Sequence, residues 1–301
     1  MITLIFGAGA SFGSGGCLPT NPPLGADLFS ELQKLGGAFT RLDNRQQRVF
    51  LEQGFEPGMA TIANDSREIN PLQKELACYL AGFTAQRDNA YSRLFSKLKT
   101  FSNRIAIATL NYDLLIEHSL SHHRISFDYN NQGEGVPLMK IHGSSNFLPE
   151  LGNLHLSGNV MVNCGTFVEG LNTNAVSSAE EVKSWCDDPR NSDISPILAM
   201  YQKGKRVVVN TQLIEKIQKD YADAVTRSSH LVIVGTKYVE HDQHVWKPIA
   251  ESSASILLVD PYPEATVNWA RAVQREGVRA LTIGFDQAVW KIAKFVRAAA
   301  A

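Results

Sequence analysis

The sequence predicts an α/β protein built on a doubly wound, Rossmann-like parallel sheet with helices on both faces. Three observations carry that expectation. Short, largely apolar runs recur at residues 2–6, 104–110, 136–141, 231–234 and 256–259. Segments with helical spacing of apolar residues separate most of them. The first run ends at Gly7-Ala8-Gly9-Ala10-Ser11, a tight turn of the kind that joins a strand to a helix. Near-continuous apolar runs suit strands buried on both faces, and their alternation with helices suits a parallel sheet.

The elements follow in order. Ile2 to Phe6 reads as a buried strand. Gly7 and Gly9 let backbone approach a ligand, and such a turn offers N–H groups to a diphosphate. The motif departs from the dinucleotide fingerprint, because Phe12 stands three residues after Gly9 and the next glycine is Gly13. Residues 13–25 are rich in Gly, Ser and Pro, with Pro19, Pro22 and Pro23 excluding regular structure. A loop of that length points to a segment that folds over a ligand; the plain alternative is a surface connection. Helical spacing resumes through Leu28, Leu32 and Leu35. Residues 40–100 read as a helical insertion, with apolar faces at Phe50, Leu51 and Phe55, at Leu72, Leu76, Leu80 and Phe83, and at Tyr91, Leu94, Phe95 and Leu98.

The second strand, Arg104 to Leu110, runs into Asn111-Tyr112-Asp113 and a helix from Leu114 to Leu120. Val136 to Ile141 is a third strand, ending at His142-Gly143. Residues 150–195 lack periodicity and read as an irregular insertion. A helix over Leu213 to Val225, strands at Leu231 to Val234 and Ile256 to Val259, and helices at Ala265 to Val273 and Phe285 to Ala298 complete the chain. The whole, 1–301, reads as one domain.

Composition narrows the function classes. With 29 basic and 30 acidic residues among 301, the net charge is -1, so no strong grip on a nucleic-acid backbone is expected. The start Met1-Ile2-Thr3-Leu4 lacks the basic region of a signal peptide. No stretch approaches the roughly 20 apolar residues that cross a bilayer. A cytoplasmic protein without membrane contact is the expectation. The four cysteines, at 17, 78, 164 and 186, form no Cys-x-x-Cys pair. Buried, reduced thiols are therefore expected rather than a structural zinc.

Three polar clusters fall just past predicted strands: Ser11, then Asn111 and Asp113, then His142. In a doubly wound sheet these positions share one edge, where ligands bind. Each has a plain alternative. Ser11, Asn111 and Asp113 suit helix caps, and His142 suits a satisfied core histidine. Capping alone does not call for Gly-Ala-Gly-x-Ser, Thr-x-Asn-x-Asp and His-Gly in this order.

That order resembles the sirtuin family. Its motifs stand here as Gly7-Ala8-Gly9-Ala10-Ser11, Thr109-Leu110-Asn111-Tyr112-Asp113, His142-Gly143 and Gly235-Thr236-Lys237. The chain differs from deacetylase sirtuins in three ways. The paired Cys-x-x-Cys motifs of a zinc ribbon are absent between His142 and Gly235. Leu110 replaces the family's glutamine. Cys17-Leu18-Pro19-Thr20 stands where an arginine-bearing segment follows the first motif. The pattern is more similar to the sirtuin-like NAD hydrolases of bacterial antiphage defence, in which a late glycine is followed by an aspartate at the spacing of Gly235 and Asp242.

The resemblance implies NAD as substrate, cleaved between nicotinamide and ribose, with no metal required. Gly7, Ala8, Gly9 and Ser11 would hold the diphosphate. Thr109 belongs to the same binding set. Asn111 would orient the nicotinamide ribose or the attacking water. Asp113 would hold the carboxamide or stabilise the cationic transition state, and His142 would bind a ribose hydroxyl or act as general base. Gly235 and Thr236 would contact the adenosine half. Asp260 would bind the adenosine ribose or serve as a turn residue before Pro261. The resemblance further implies NAD depletion during abortive infection, triggered by homo-oligomer assembly or by a partner such as a HerA-type ATPase. A sirtuin-type deacylase or ADP-ribosyltransferase, and a non-enzymatic NAD or ADP-ribose sensor, are the alternatives.

Overall fold

Ile2–Phe6 forms the central strand, β1, and every one of its residues is buried. The only polar member, Thr3, places its hydroxyl 2.8 Å from the Ser228 Oγ, so its own buried hydroxyl is matched. A computed structural model of the chain describes residues 1–63, 65–129, 133, 135–151, 170–199 and 210–300. Much of the expected irregular insertion, and Cys164, lie outside the described residues.

After β1 come α1 (Ala8–Phe12), β2 (Cys17–Leu18), α2 (Gly25–Gln33), α3 (Asn44–Gln53), α4 (Phe55–Ile62) and α5 (Ser66–Ala81). Next are β3 (Thr84–Ala85), α6 (Ala90–Leu98), β4 (Ile105–Thr109), α7 (Leu115–His122), β5 (Phe127–Asp128) and β6 (Val136–Lys140). They are followed by β7 (Phe147–Glu150), β8 (Asn172–Ala175), α8 (Ala179–Asp187), α9 (Thr211–Arg227), β9 (His230–Val234) and α10 (Gln243–Glu251). The chain closes with β10 (Ser255–Val259), α11 (Glu264–Ala272), β11 (Val278–Leu281) and α12 (Phe285–Ala300).

The chain divides into two compact units. The first comprises Met1–Pro22, Phe83–Ile141 and Glu215–Ala301. It holds a seven-stranded sheet in the order β11-β10-β9-β1-β4-β6-β5, every pair parallel. This is the doubly wound α/β sheet that the sequence predicts. Helix α12 lies against β1, β9, β10 and α6. A ring cluster locks that packing: Phe6 meets Tyr91 at 5.0 Å between centroids, and Tyr91 meets Phe285 at 4.9 Å.

Register aligns the carboxyl ends. Phe6 pairs with Thr109 and with Val234, Thr109 with Lys140, and Val234 with Val259. Gly7, Leu110, Ile141, Gly235 and Asp260 therefore stand one residue beyond a single row. The chain fills the β4 side of β1 first and then returns to the β9 side. The order thus reverses between β1 and β9, where open sheets place their ligand crevice.

The Gly- and Pro-rich loop after α1 departs from expectation. Cys17–Leu18 is a short strand that pairs antiparallel with Thr84–Ala85. The Gln86 N–H donates to Gly16 O at 2.8 Å and the Ala90 N–H to Ser14 O at 2.9 Å. Backbone ladders need no particular side chain, so composition did not reveal them. Residues 14–18 are pinned to residues 84–90 by backbone hydrogen bonds.

The second unit comprises Pro23–Gly82 and His142–Ile214. Phe29, Phe39 and Phe50 form its aromatic core, with Phe29 stacked on Phe50 at 4.4 Å. Asp43 and Gln46 form a capping box on α3, and Ser178 and Glu181 form another on α8. Asn70 and Lys74 of α5 donate to Asp193 O and Asn191 O at 2.7 and 2.6 Å. These bonds fix the strip that leads to Ala199, whose N–H donates to His142 O at 2.7 Å. Among the described residues, no helix is long and apolar enough to cross a membrane.

Candidate functional site

The first turn and the late glycine interlock. Gly7 N–H donates to Val234 O and Gly9 N–H to Gly235 O, each at 3.0 Å. A Cβ on Gly7 would sit 2.5 Å from Thr236 Oγ1, and one on Gly235 would sit 2.1 Å from Ala10 N. Gly235 also has φ +60°, a conformation that L side chains rarely adopt. These glycines are required because two loops meet backbone to backbone at the reversal point. The amides of Gly7, Gly9 and Ala10 are all engaged within the protein.

Asn111 is fixed in one orientation. Its side-chain nitrogen Nδ2 donates to Gly7 O at 3.0 Å and to Ser11 Oγ at 2.8 Å. A main-chain carbonyl only accepts, so the end facing Gly7 is the nitrogen, and both of its hydrogens are used. The oxygen Oδ1 is the end left to meet a ligand. The Asn111 N–H donates to Thr109 Oγ1 at 3.1 Å, and that hydroxyl donates to Phe6 O at 3.1 Å. Thr109 is fully buried and acts on its surroundings through the Asn111 backbone.

Ser11 is the hub. Its hydroxyl accepts from Asn111 and lies 3.2 Å from the Tyr91 hydroxyl, where either oxygen can donate to the other. Burial pushes the Tyr91 phenol well above its ordinary value, so it keeps its hydrogen.

Asp113 sits beneath this hub. Burial raises its carboxyl above the usual range, against the lowering effects of Lys140, the Ser11 hydroxyl and the Leu115 N–H. The Leu115 N–H donates to its Oδ1 at 3.2 Å, so Asp113 also holds the first turn of α7, as the capping alternative anticipates. Neither Asn111 nor Ser11 caps a helix; Ser11 lies inside α1. Lys140, fully buried, donates to Asp113 O at 2.6 Å and pairs with Glu117 at 3.0 Å. Tyr129 donates to Glu117 Oε1 at 2.9 Å.

Thr236 is buried, and its hydroxyl donates to Val234 O at 3.3 Å. Thr266 braces the loop that follows, donating to Thr236 O at 3.3 Å and accepting from the Tyr238 N–H at 3.0 Å. Tyr238 stacks on Trp269 at 5.4 Å, and Trp246 closes the trio. Asp242, at the start of α10, is buried with His244 Nε2 3.7 Å from its Oδ1. Asp260 accepts from the Tyr262 N–H at 2.7 Å, which is the turn arrangement. His142 is 7% exposed and is the first residue of the second unit, directly after Ile141.

The structure thus brings Gly7, Ser11, Thr109 and Asn111 into one hydrogen-bonded cluster, with Gly235 and Thr236 against the same turn, while Asp113 is held by Leu115 and Lys140. Sequence reasoning missed Tyr91, Lys140 and Glu117. Tyr91 reads as one more apolar position on a helix face, and its hydroxyl carries no sequence signal. A lysine closing the run Val136–Lys140 was the one clue to the buried pair.

The expected buried thiols are corrected: Cys17, Cys78 and Cys186 are free and half-buried.

Solved structures share this fold over nearly the whole chain. A mutant Sir2 homologue in complex with ADP-ribose has a TM-score of 0.53 at 13% identity, covering 99% of this chain and 92% of that one. Another, in complex with 2'-O-acetyl ADP-ribose, has a TM-score of 0.53 at 14% identity, with the same coverage of 99% and 92%. A Sir2 homologue–NAD complex has a TM-score of 0.52 at 14% identity, covering 100% of this chain and 90% of that one. No family model matches the sequence, and no curated protein matches it. The fold is sirtuin-like.

Proposed function

We propose that this chain is an NAD glycohydrolase, cleaving the bond between nicotinamide and ribose to give nicotinamide and ADP-ribose. The observation that carries the proposal is Asn111, clamped through both amide hydrogens so that, among the described residues, Oδ1 is the end left without a partner. A fixed acceptor beside the strand reversal suits a ribose hydroxyl or a water aimed at C1′. NAD and ADP-ribose complexes among structures of the same fold support NAD as the ligand.

Nicotinamide departs neutral from a cationic ring through an oxocarbenium-like transition state, as in glycoside hydrolysis. Asn111 orients the water or ribose. The Asp113 carboxylate, which accepts from the Leu115 N–H, supplies negative charge near the developing cation. His142 serves as general base or binds a ribose hydroxyl. The Gly7-Ala8-Gly9 turn and Ser11 lie along the diphosphate, Ala8 supplying the amide of that turn. Gly235 and Thr236 face the adenosine half, and Asp260 its ribose. Thr109 contributes by holding the Asn111 backbone.

The biological setting rests on the motif resemblance alone. It is NAD depletion in antiphage defence, in the cytoplasm, with activity released by homo-oligomer assembly or by a HerA-type ATPase.

Chromatographic assay of NAD with the purified chain tests the reading. Nicotinamide and ADP-ribose should appear together and vanish in Asn111→Ala and His142→Ala. Turnover only with an acyl-lysine peptide would replace the hydrolase with a deacylase. NAD binding without any turnover, alone or with a partner, would replace it with a sensor.

A further inference from the structure

Two thiols of the second unit lie outside everything assigned above. Cys78 sits in the last turn of α5 and Cys186 near the end of α8, and these two helices pack together. The neighbouring contacts fix the crossing. One turn before Cys78, Lys74 places its Nζ 5.7 Å from the centre of the Trp185 ring, the residue beside Cys186. The chain after α8 runs back along α5, with Lys74 donating to Asn191 O and Asn70 to Asp193 O, which sets the turn of Cys186 level with the turn of Cys78. Both thiols are free and half-buried.

Their surroundings differentiate the two sulfurs. Cys186 is the largest influence on Cys78 and holds its thiol below the ordinary value, with Lys183 and Lys74 adding to it. Cys78 and burial push the Cys186 thiol up. Cys78 is thus the more readily ionised of the two sulfurs. Cys17, in the first unit, provides the contrast. Its polar neighbours are Ser14 and Asn89, and burial pushes its thiol up.

We propose that Cys78 and Cys186 are a reversible thiol pair, in which Cys78 reacts with a hydroperoxide and Cys186 closes a disulfide that joins α5 to α8. Cys78 Sγ attacks one peroxide oxygen, the O–O bond breaks, and the sulfur becomes a sulfenic acid as hydroxide leaves and takes up a proton. Cys186 Sγ then loses its proton and attacks Cys78 Sγ. The S–S bond forms, the S–O bond breaks, and the second oxygen leaves as water. Two thiols and one hydrogen peroxide give one disulfide and two waters. In a reducing compartment such a bond is a transient, sensing one.

The bond would act on a frame with a purpose. Asn70 and Lys74 of α5 hold the strip whose last described residue, Ala199, bonds the His142 carbonyl. A cross-link from α5 to α8 stiffens that frame.

The test is mass mapping of the full chain after stoichiometric hydrogen peroxide, with free thiols alkylated and the digest left unreduced. The expected result is a Cys78–Cys186 cross-linked peptide, loss of two of the four titratable thiols, and full recovery with dithiothreitol. The oxidised chain should melt at a higher temperature than the reduced one. Cys17→Ser and Cys164→Ser should leave the cross-link in place, and Cys186→Ser should stop oxidation at a dimedone-reactive Cys78. Alkylation of both thiols after peroxide, a disulfide to Cys164 or Cys17 instead, or oxidation of Cys78 straight to sulfinic acid in the wild-type chain would each overturn the proposal.

Discussion

Replacing Lys140 by methionine removes the buried cation that holds Asp113 O and Glu117 and should destabilise the protein severely. Lys140 is fully buried and Glu117 nearly so, with Nζ 3.0 Å from Oε1. At an effective dielectric of about 20, two unit charges that close attract by roughly 5–6 kcal/mol. Desolvation costs several kcal/mol per ion, so the intact pair contributes little net stability. Removing one partner is different, because the other charge stays buried without compensation. In Lys140→Met the Glu117 carboxylate keeps only the Tyr129 hydroxyl, and Asp113 O loses its donor. The expected loss is about 3–5 kcal/mol, and Glu117→Leu should lose a similar amount. The double variant Lys140→Met with Glu117→Leu leaves no orphaned charge and should recover most of it. Urea unfolding followed by circular dichroism, with m compared across variants, measures all three. Single-variant losses below about 1 kcal/mol, or a double variant at the sum of the singles, would refute this account of the pair.

Other outcomes follow from the same geometry. Tyr91→Phe keeps the ring cluster and removes one hydrogen bond to Ser11, so stability should fall by about 1 kcal/mol; Ser11→Ala should cost more, about 1–3 kcal/mol, because it strands the buried Tyr91 hydroxyl. Gly235→Ala adds a Cβ 2.1 Å from Ala10 N at a positive φ. It should cost about 1–3 kcal/mol for the overlap alone, read as a lowered denaturation midpoint or loss of soluble protein. Asp113 has its carboxyl raised by burial. Between its unfolded value near 3.9 and its higher folded value, the native state binds the extra proton, so its contribution to stability rises as pH falls through that window. Asp113→Asn should abolish that segment of the stability–pH profile, and an unchanged profile would refute the assignment.

Most of the sheet was legible in the sequence. Strands β1, β4, β6, β9 and β10 are short runs buried on both faces, and such runs announce themselves without knowledge of their partners. The strands that escaped are the two edges. Phe127–Asp128 is too short to show a pattern, and none of Val278–Leu281 is buried. The order of the polar clusters after the strands was legible for the same reason, because strand ends fix where a chain turns. The pinning of residues 14–18 was not, since backbone ladders to residues 84–90 leave no mark on side-chain composition.

Sequence by itself determined that this is a doubly wound sheet and that Ser11, Asn111, Asp113 and His142 each follow a strand. Those properties depend on local periodicity and on the burial of contiguous residues. Only the tertiary structure decided which way each group points. Asn111 is locked by Gly7 and Ser11, about a hundred positions away, and Ser11 meets the Tyr91 hydroxyl from a helix eighty positions on. Gly235 meets Gly9 and Ala10 because parallel register brings Phe6 level with Val234. Hydrogen-bond direction and close approach are set by distances across strands, and a one-dimensional pattern carries no information about those distances until the register is fixed.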